Sequence, residues 1–289
     1  MISDTSINTT INLKITECRY HLVLLGCGKM GSALLKGWLQ RKDLFARISV
    51  IEPANIVSDF EATDLINRYT SIGSFMDINN MSIDFVVFAV KPQMMAKVIA
   101  PFSHKSLQNA VFLSIAAGLS AKWFEERLSG SKQIVRAMPN IPASVGAGIT
   151  AVYISDAIPE QKKEFCITLL EVVGETVILP DEKMMDAVTA LSGSGPAYVF
   201  LLAEAMQIAG VQLGLPEILS KKLARGTVYG AGALLARETA DSAVLRENVT
   251  SKGGTTAAAL SVLMEKNCLA ELILKAMQLA QQRSRELGE

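Results

Sequence analysis

The chain has 289 residues, and its 28 Lys plus Arg balance its 28 Asp plus Glu to a formal net charge of zero. That balance speaks against a nucleic-acid partner, which asks for a basic stripe, and against a charged interaction tail. Half of the residues are hydrophobic while only 6% are aromatic and 19% charged, so the expected core is aliphatic and large, with part of it at a subunit interface.

Residues 1–20 are polar and lack the apolar centre of a signal peptide or the arginines of a transit peptide. They are expected to form a flexible lead-in. No run approaches the ~18 apolar residues of a membrane span. The four cysteines, Cys18, Cys27, Cys166 and Cys268, make no C-x-x-C pair, which disfavours a zinc site or a redox pair and suits a reduced, cytoplasmic protein. Only two histidines occur, His21 at the head of an apolar run and His104 in a polar turn. Neither has ligand spacing or a triad setting, so both read as structural or surface residues and no metal site is expected.

Between His21 and Pro180, strand-length apolar runs alternate with helical patterns. HLVLLG (21–26), RISVIEP, DFVVFAV (84–90), VFLSIAA (111–117), QIVRAMP and ITAVYIS read as six strands, the most apolar of them buried on both faces. Pro92 is expected at a helix start. This alternation predicts an α/β, doubly wound Rossmann-type sheet over residues 21–180. Residues 181–289 read as helices only. The run 196–213 is apolar on almost every face, which a few helices alone cannot cover, so an interlocked homodimer is expected.

Gly26-Cys27-Gly28-Lys29-Met30-Gly31 is a G-x-G-x-x-G between a buried strand and a helix. In that setting Gly26 serves the tight turn, Gly28 the approach of a pyrophosphate, and Gly31 the packing of helix on strand. The plain alternative is a glycine-rich turn without a ligand. Glu52 ends the second strand 21 residues after Gly31, where an acid commonly accepts from the adenosine ribose hydroxyls. It would repel a 2′-phosphate, which favours NADH over NADPH; the alternative is a solvated strand-end carboxylate. Ala89-Val90-Lys91-Pro92 and Ala116-Ala117-Gly118 end two further strands, where small residues allow a nicotinamide ring to approach the backbone or simply form turns.

The motifs G-C-G-K-M-G, A-V-K-P, S-I-A-A-G, R-A-M-P-N, L-S-G-S-G-P-A-Y-V-F (191–200) and V-T-S-K-G-G-T-T (249–256) occur in this order. The series resembles the pyrroline-5-carboxylate reductase family over residues 22–285. The resemblance implies an N-terminal Rossmann domain, a helical dimerisation domain, dimers that stack into larger rings, and reduction of 1-pyrroline-5-carboxylate to L-proline with NADPH or NADH. It implies that residues 26–31 bind the pyrophosphate and that 89–92 and 116–118 line the nicotinamide side. Ser251, Gly253, Gly254, Thr255 and Thr256 would hold the substrate carboxylate and ring nitrogen, with Asn248 nearby.

That last loop makes sense unaided: helix-start N–H groups, two glycines and three hydroxyls form a nest for a small carboxylate. A simple N-cap by Ser251 or Thr255 is the alternative. Thr256 is the catalytic candidate, its hydroxyl orienting the ring nitrogen or relaying a solvent proton. Lys252 stands where the family usually has proline, and Thr239-Ala240-Asp241-Ser242 replaces the usual turn before the loop. A 3-hydroxyacid dehydrogenase is one alternative, but such enzymes use a catalytic lysine on the first helix of the helical domain and the run 194–213 contains none; a non-enzymatic nucleotide sensor is another, and it would not need the substrate loop.

Overall fold

The computed structural model describes residues 19–54, 60, 63–77, 82–103, 107 and 109–288. His104, Cys18 and the expected lead-in up to residue 18 lie outside them.

Eight strands form one sheet: β1 Tyr20–Leu25, β2 Phe45–Ile51, β3 Ile66–Tyr69, β4 Phe85–Phe88, β5 Val111–Ser114, β6 Ile134–Met138, β7 Gly148–Ile154 and β8 Gly174–Ile178, in the order β3-β2-β1-β4-β5-β6-β7-β8. The first six run parallel, in the doubly wound order 3-2-1-4-5-6, and β7 turns antiparallel to β6 with β8 parallel to it. Both β1 and β4 are buried at every residue, because helices cover both faces. Leu22 and Leu24 pack on one face with Leu34 and Trp38 of α1 (Lys29–Trp38) and Phe165 and Leu169 of a later helix. Val23 and Leu25 alternate to the other face, with Met95, Ile99, Phe102 and Phe124.

Two strands exceed the six expected. Both β3 (INRY) and β8 (GETVI) lie at the sheet's edges, and neither contains a fully buried residue. An edge strand needs no continuous apolar run, so neither declares itself in the sequence. His21 is structural: it is buried, with Nε2 3.0 Å from Ser49 Oγ and Nδ1 3.1 Å from Ser82 O.

The chain divides into two compact units, residues 1–193 with 281–289, and residues 194–280. The division follows Gly193 rather than Pro180, because the helical turns after β8 pack back on the sheet. Met185, in the short helix α2 (Met185–Val188), joins Ala151 and Leu179 in a small core, and Glu182 pairs with Arg136 of β6 at 2.7 Å. The second unit holds α3 (Gly195–Gln212), α4 (Glu217–Arg237), α5 (Ser242–Asn248), α6 (Thr255–Leu263) and the start of α7 (Cys268–Glu286). No residue of α3 is buried among the described residues; Phe200 is 61% and Leu201 64% exposed. No described helix is long and apolar enough to cross a membrane.

Candidate active site

At the carboxyl ends of β1, β2 and β4 the chain forms a tight crossing. Leu25 accepts from the Ala89 N–H (2.8 Å) and Ile51 from the Gly26 N–H (3.0 Å), so the glycine turn is suspended between the two neighbouring strands. Gly26 has φ +90°, and a Cβ there would meet the Ala89 carbonyl oxygen at 2.7 Å and Val90 Cγ1 at 2.9 Å. A Cβ on Gly31 would overlap the Gly26 carbonyl oxygen. Both glycines are therefore required by the fold itself.

Gly28 differs. It is exposed, has extended backbone, and a Cβ there would find nothing within 4 Å. It is also the N-cap of α1 and offers the helix no side-chain cap. Among the described residues, the first N–H groups of α1 thus stay free beside a residue with no bulk, which is what a pyrophosphate requires of such a turn. A cofactor fits these residues; the N-cap position alone would favour glycine only modestly.

Glu52 is no solvated carboxylate. Its Oε2 accepts from the Cys27 N–H at 2.7 Å and its Oε1 from the Ala54 N–H at 3.0 Å. The side chain ties the end of β2 to the glycine turn, and its remaining lone pairs can still accept from a sugar hydroxyl. Burial, and then the Glu52 carboxylate, push the Cys27 thiol up to about 11, against an opposing pull from Arg68. Cys27 is thus a protonated, buried packing residue. Lys91 caps the helix that begins at Pro92, with proline in its first turn as expected.

Residues 116–118 follow β5, next to β4 in the sheet. Ala116 donates its N–H to Ser114 Oγ at 3.2 Å, and Gly118 has φ +84°. Glu182, which the sequence did not single out, closes the far end of this loop. Its Oε1 accepts from the Ala121 N–H at 2.6 Å and from Arg136 at 2.7 Å. No local pattern announces that pairing, since its partners are distant in the chain.

The Ser251–Thr256 loop belongs to the second unit. Gly253 has φ +74°, and a Cβ on Gly254 would overlap Ser251 Oγ. Gly254, not Ser251 or Thr255, is the N-cap of α6, and no side chain caps the helix. The hydroxyls of Ser251, Thr255 and Thr256 make no hydrogen bond among the described residues. The capping alternative therefore fails, and the helix start keeps its donors free. Asn248 is the exposed last residue of α5, before this loop.

The comparisons with known proteins agree with this geometry. The family profile for pyrroline-5-carboxylate reductase dimerisation matches residues 182–287, and that for NADP oxidoreductase, coenzyme F420-dependent, matches residues 21–118. A pyrroline-5-carboxylate reductase of Haemophilus influenzae is 37% identical over 268 residues, 92% of this chain and 97% of that protein. The structure of the Coxiella burnetii enzyme of that name superposes with a TM-score of 0.83 at 30% identity, covering 94% of this chain and 100% of that one. The Plasmodium falciparum enzyme, solved with NADP bound, gives 0.76 at 30% identity over 93% and 98% of the two chains. A Rossmann-type sheet with a glycine turn after its first strand, a helix start without a side-chain cap at Thr255, and this degree of likeness place the chain in the pyrroline-5-carboxylate reductase family, as an NAD(P)H-dependent oxidoreductase that forms a homodimer.

Proposed function

We propose a division of labour among the residues for the reaction of this family, the reduction of 1-pyrroline-5-carboxylate to L-proline with NAD(P)H. The free N–H groups of α1, beside Gly28, bind the pyrophosphate, with Gly26, Cys27, Lys29, Met30 and Gly31 shaping the turn. Ala89, Val90, Lys91 and Pro92, with Ala116, Ala117 and Gly118, line the nicotinamide side. Glu52 holds the glycine turn and faces the adenosine ribose. The bound nicotinamide supplies the hydride for the C=N carbon.

The substrate's carboxylate sits in the nest of Ser251, Gly253, Gly254 and Thr255, with Asn248 at its edge. The uncapped start of α6 carries this reading, since its donors otherwise have no task. Thr256 hydrogen-bonds the ring nitrogen and orients it. A protonated imine is already electrophilic, so solvent suffices as the ultimate proton source and no histidine is needed. Most of the acceleration comes from holding the imine carbon in line with the hydride donor.

Dimers that stack into a larger ring follow the family resemblance, and a cytoplasmic location follows from the cysteine usage, four cysteines without a C-x-x-C pair. Oxidation of NADH and NADPH, each measured with 1-pyrroline-5-carboxylate, tests the reading. Proline formation with at least one cofactor is expected, and no turnover by the folded protein overturns it.

A further inference from the structure

The turn after β5 is held by the far end of the chain. A side chain on Gly118 would meet the Ser284 carbonyl oxygen at 2.7 Å, Leu287 Cβ at 2.9 Å and the Gly288 nitrogen at 3.0 Å. A Cβ on Gly288 would in turn overlap the Gly118 carbonyl oxygen. The two backbones are therefore packed directly on one another, with glycine on each side of the contact.

The tail is anchored in its own right. Ser284 is 2% exposed and donates its hydroxyl to Asp186 Oδ1 at 2.7 Å, while Arg285 Nε lies 3.8 Å from Asp186 Oδ2. Asp186 stands one turn after Glu182, the residue that holds the Ala121 N–H at the other end of the same loop. The loop 115–121 is thus held at its middle, Gly118, and at its far end, Ala121, by groups remote in sequence. Gly118 has the backbone freedom of glycine; Ala116 and Leu119 on either side are buried in the sheet's core, so the tail fixes the part-exposed stretch, Ala117–Gly118, that this packing leaves.

We propose that Asp186 and Ser284 are positioning residues for hydride transfer: through the turn 284–288 they fix the backbone of Ala116–Gly118 against the nicotinamide. The proposal rests on the reading of residues 116–118 as the nicotinamide wall. A displacement of about an ångström at such a wall costs rate far more than affinity for the rest of the cofactor. The adenosine and pyrophosphate half, held at residues 26–31, should not sense it.

The experiment compares Ser284→Ala, Asp186→Ala, Asp186→Asn and, on the turn itself, Ala117→Val in the full-length protein. The readouts are kcat and KM for the better nicotinamide cofactor, affinity for ADP-ribose as a probe without the ring, and melting temperature. Ser284→Ala and Asp186→Ala should lower kcat by roughly five- to fiftyfold while ADP-ribose affinity stays within about twofold. Asp186→Asn, which still accepts from Ser284, should recover most of the rate. Unchanged kcat in folded Ser284→Ala, or equal weakening of ADP-ribose and whole cofactor, overturns the proposal. Should Asp186→Ala fail to fold, Ser284→Cys, which weakens the hydrogen bond, must show the same split on a smaller scale, or the proposal falls. Ala117→Val separates the two layers. If it leaves cofactor use untouched, the wall reading is at fault. If it impairs it while the Ser284 and Asp186 variants do not, the clamp is.

Discussion

Gly28 and Gly31, three residues apart, are glycine for opposite reasons. Gly31 has no room for a methyl group beside the Gly26 carbonyl, while Gly28 has open space around it. Gly31→Ala should therefore impair folding. Gly28→Ala should cost only about 1 kcal/mol of stability, since alanine is a poorer N-cap. It should nonetheless weaken NADH and NADPH alike by roughly tenfold or more, that is, by at least about 1.4 kcal/mol. Calorimetric titration on a sample of known melting temperature checks both; cofactor affinity within twofold would remove Gly28 from the pyrophosphate site. Glu52 has a double task, as a strut for the Cys27 and Ala54 N–H groups and as a negative charge near the ribose. Glu52→Gln removes the charge and keeps one of the two acceptors, so one of the Cys27 and Ala54 N–H bonds is lost. The ratio of NADPH to NADH efficiency should then rise roughly tenfold, by about 1.4 kcal/mol. An unchanged ratio with both cofactors would place the 2′ position away from this side chain.

The α6 start shows what an element adds to its residues. Serine, two glycines and two threonines before an apolar helical run suggest either a cap or a nest, and the sequence leaves both open. The backbone removes the cap, because Gly254 takes the N-cap position and the hydroxyls stay unengaged among the described residues. Thr256→Ala should accordingly lower turnover by roughly ten- to a thousandfold, with melting temperature nearly unchanged and Thr256→Ser close to the parent. Full turnover in Thr256→Ala would remove it from catalysis. Other elements were legible to the extent that a single local force shapes them. The buried runs at β1 and β4 and the glycine turn between strand and helix read directly, since burial on both faces and steric exclusion act residue by residue. Ile66–Tyr69 and Gly174–Ile178 did not, because an edge strand is defined by its neighbour. Glu182 on Ala121 and Asp186 on Ser284 did not either, because each pair joins residues 61 and 98 positions apart.

The whole molecule is held by two different cores, and each has its own signature. The sheet's core includes His21, whose pKa is lowered chiefly by burial and also by Arg47, against the Ser82 hydrogen bond and Asp84. The folded state therefore binds a proton at this site less readily than the unfolded chain does. Its contribution is fully present above the ordinary histidine value of about 6.5 and is lost as pH falls from there through the folded value. His21→Gln should flatten that part of the stability profile in denaturant titrations across the same range, and an unaltered slope would assign it to other groups. In the second unit the expected core lies between copies. In α3, Phe200 and Leu201 are 61% and 64% exposed, and in α4 Ile218 is 86% exposed. Covering a large side chain of this kind contributes about 1.5–3 kcal/mol, so a partner's helices can supply what a few helices alone cannot. A dimer built this way should have no stable folded half, and its melting temperature should rise with protein concentration. Leu201→Glu puts a charge where the partner packs. At low micromolar concentration it should yield monomer by light scattering, with helical circular dichroism reduced and turnover lost together. A Leu201→Glu protein that stays dimeric would move the interface off α3, and a monomer that keeps its full helicity would show that the helices do not need the partner to fold.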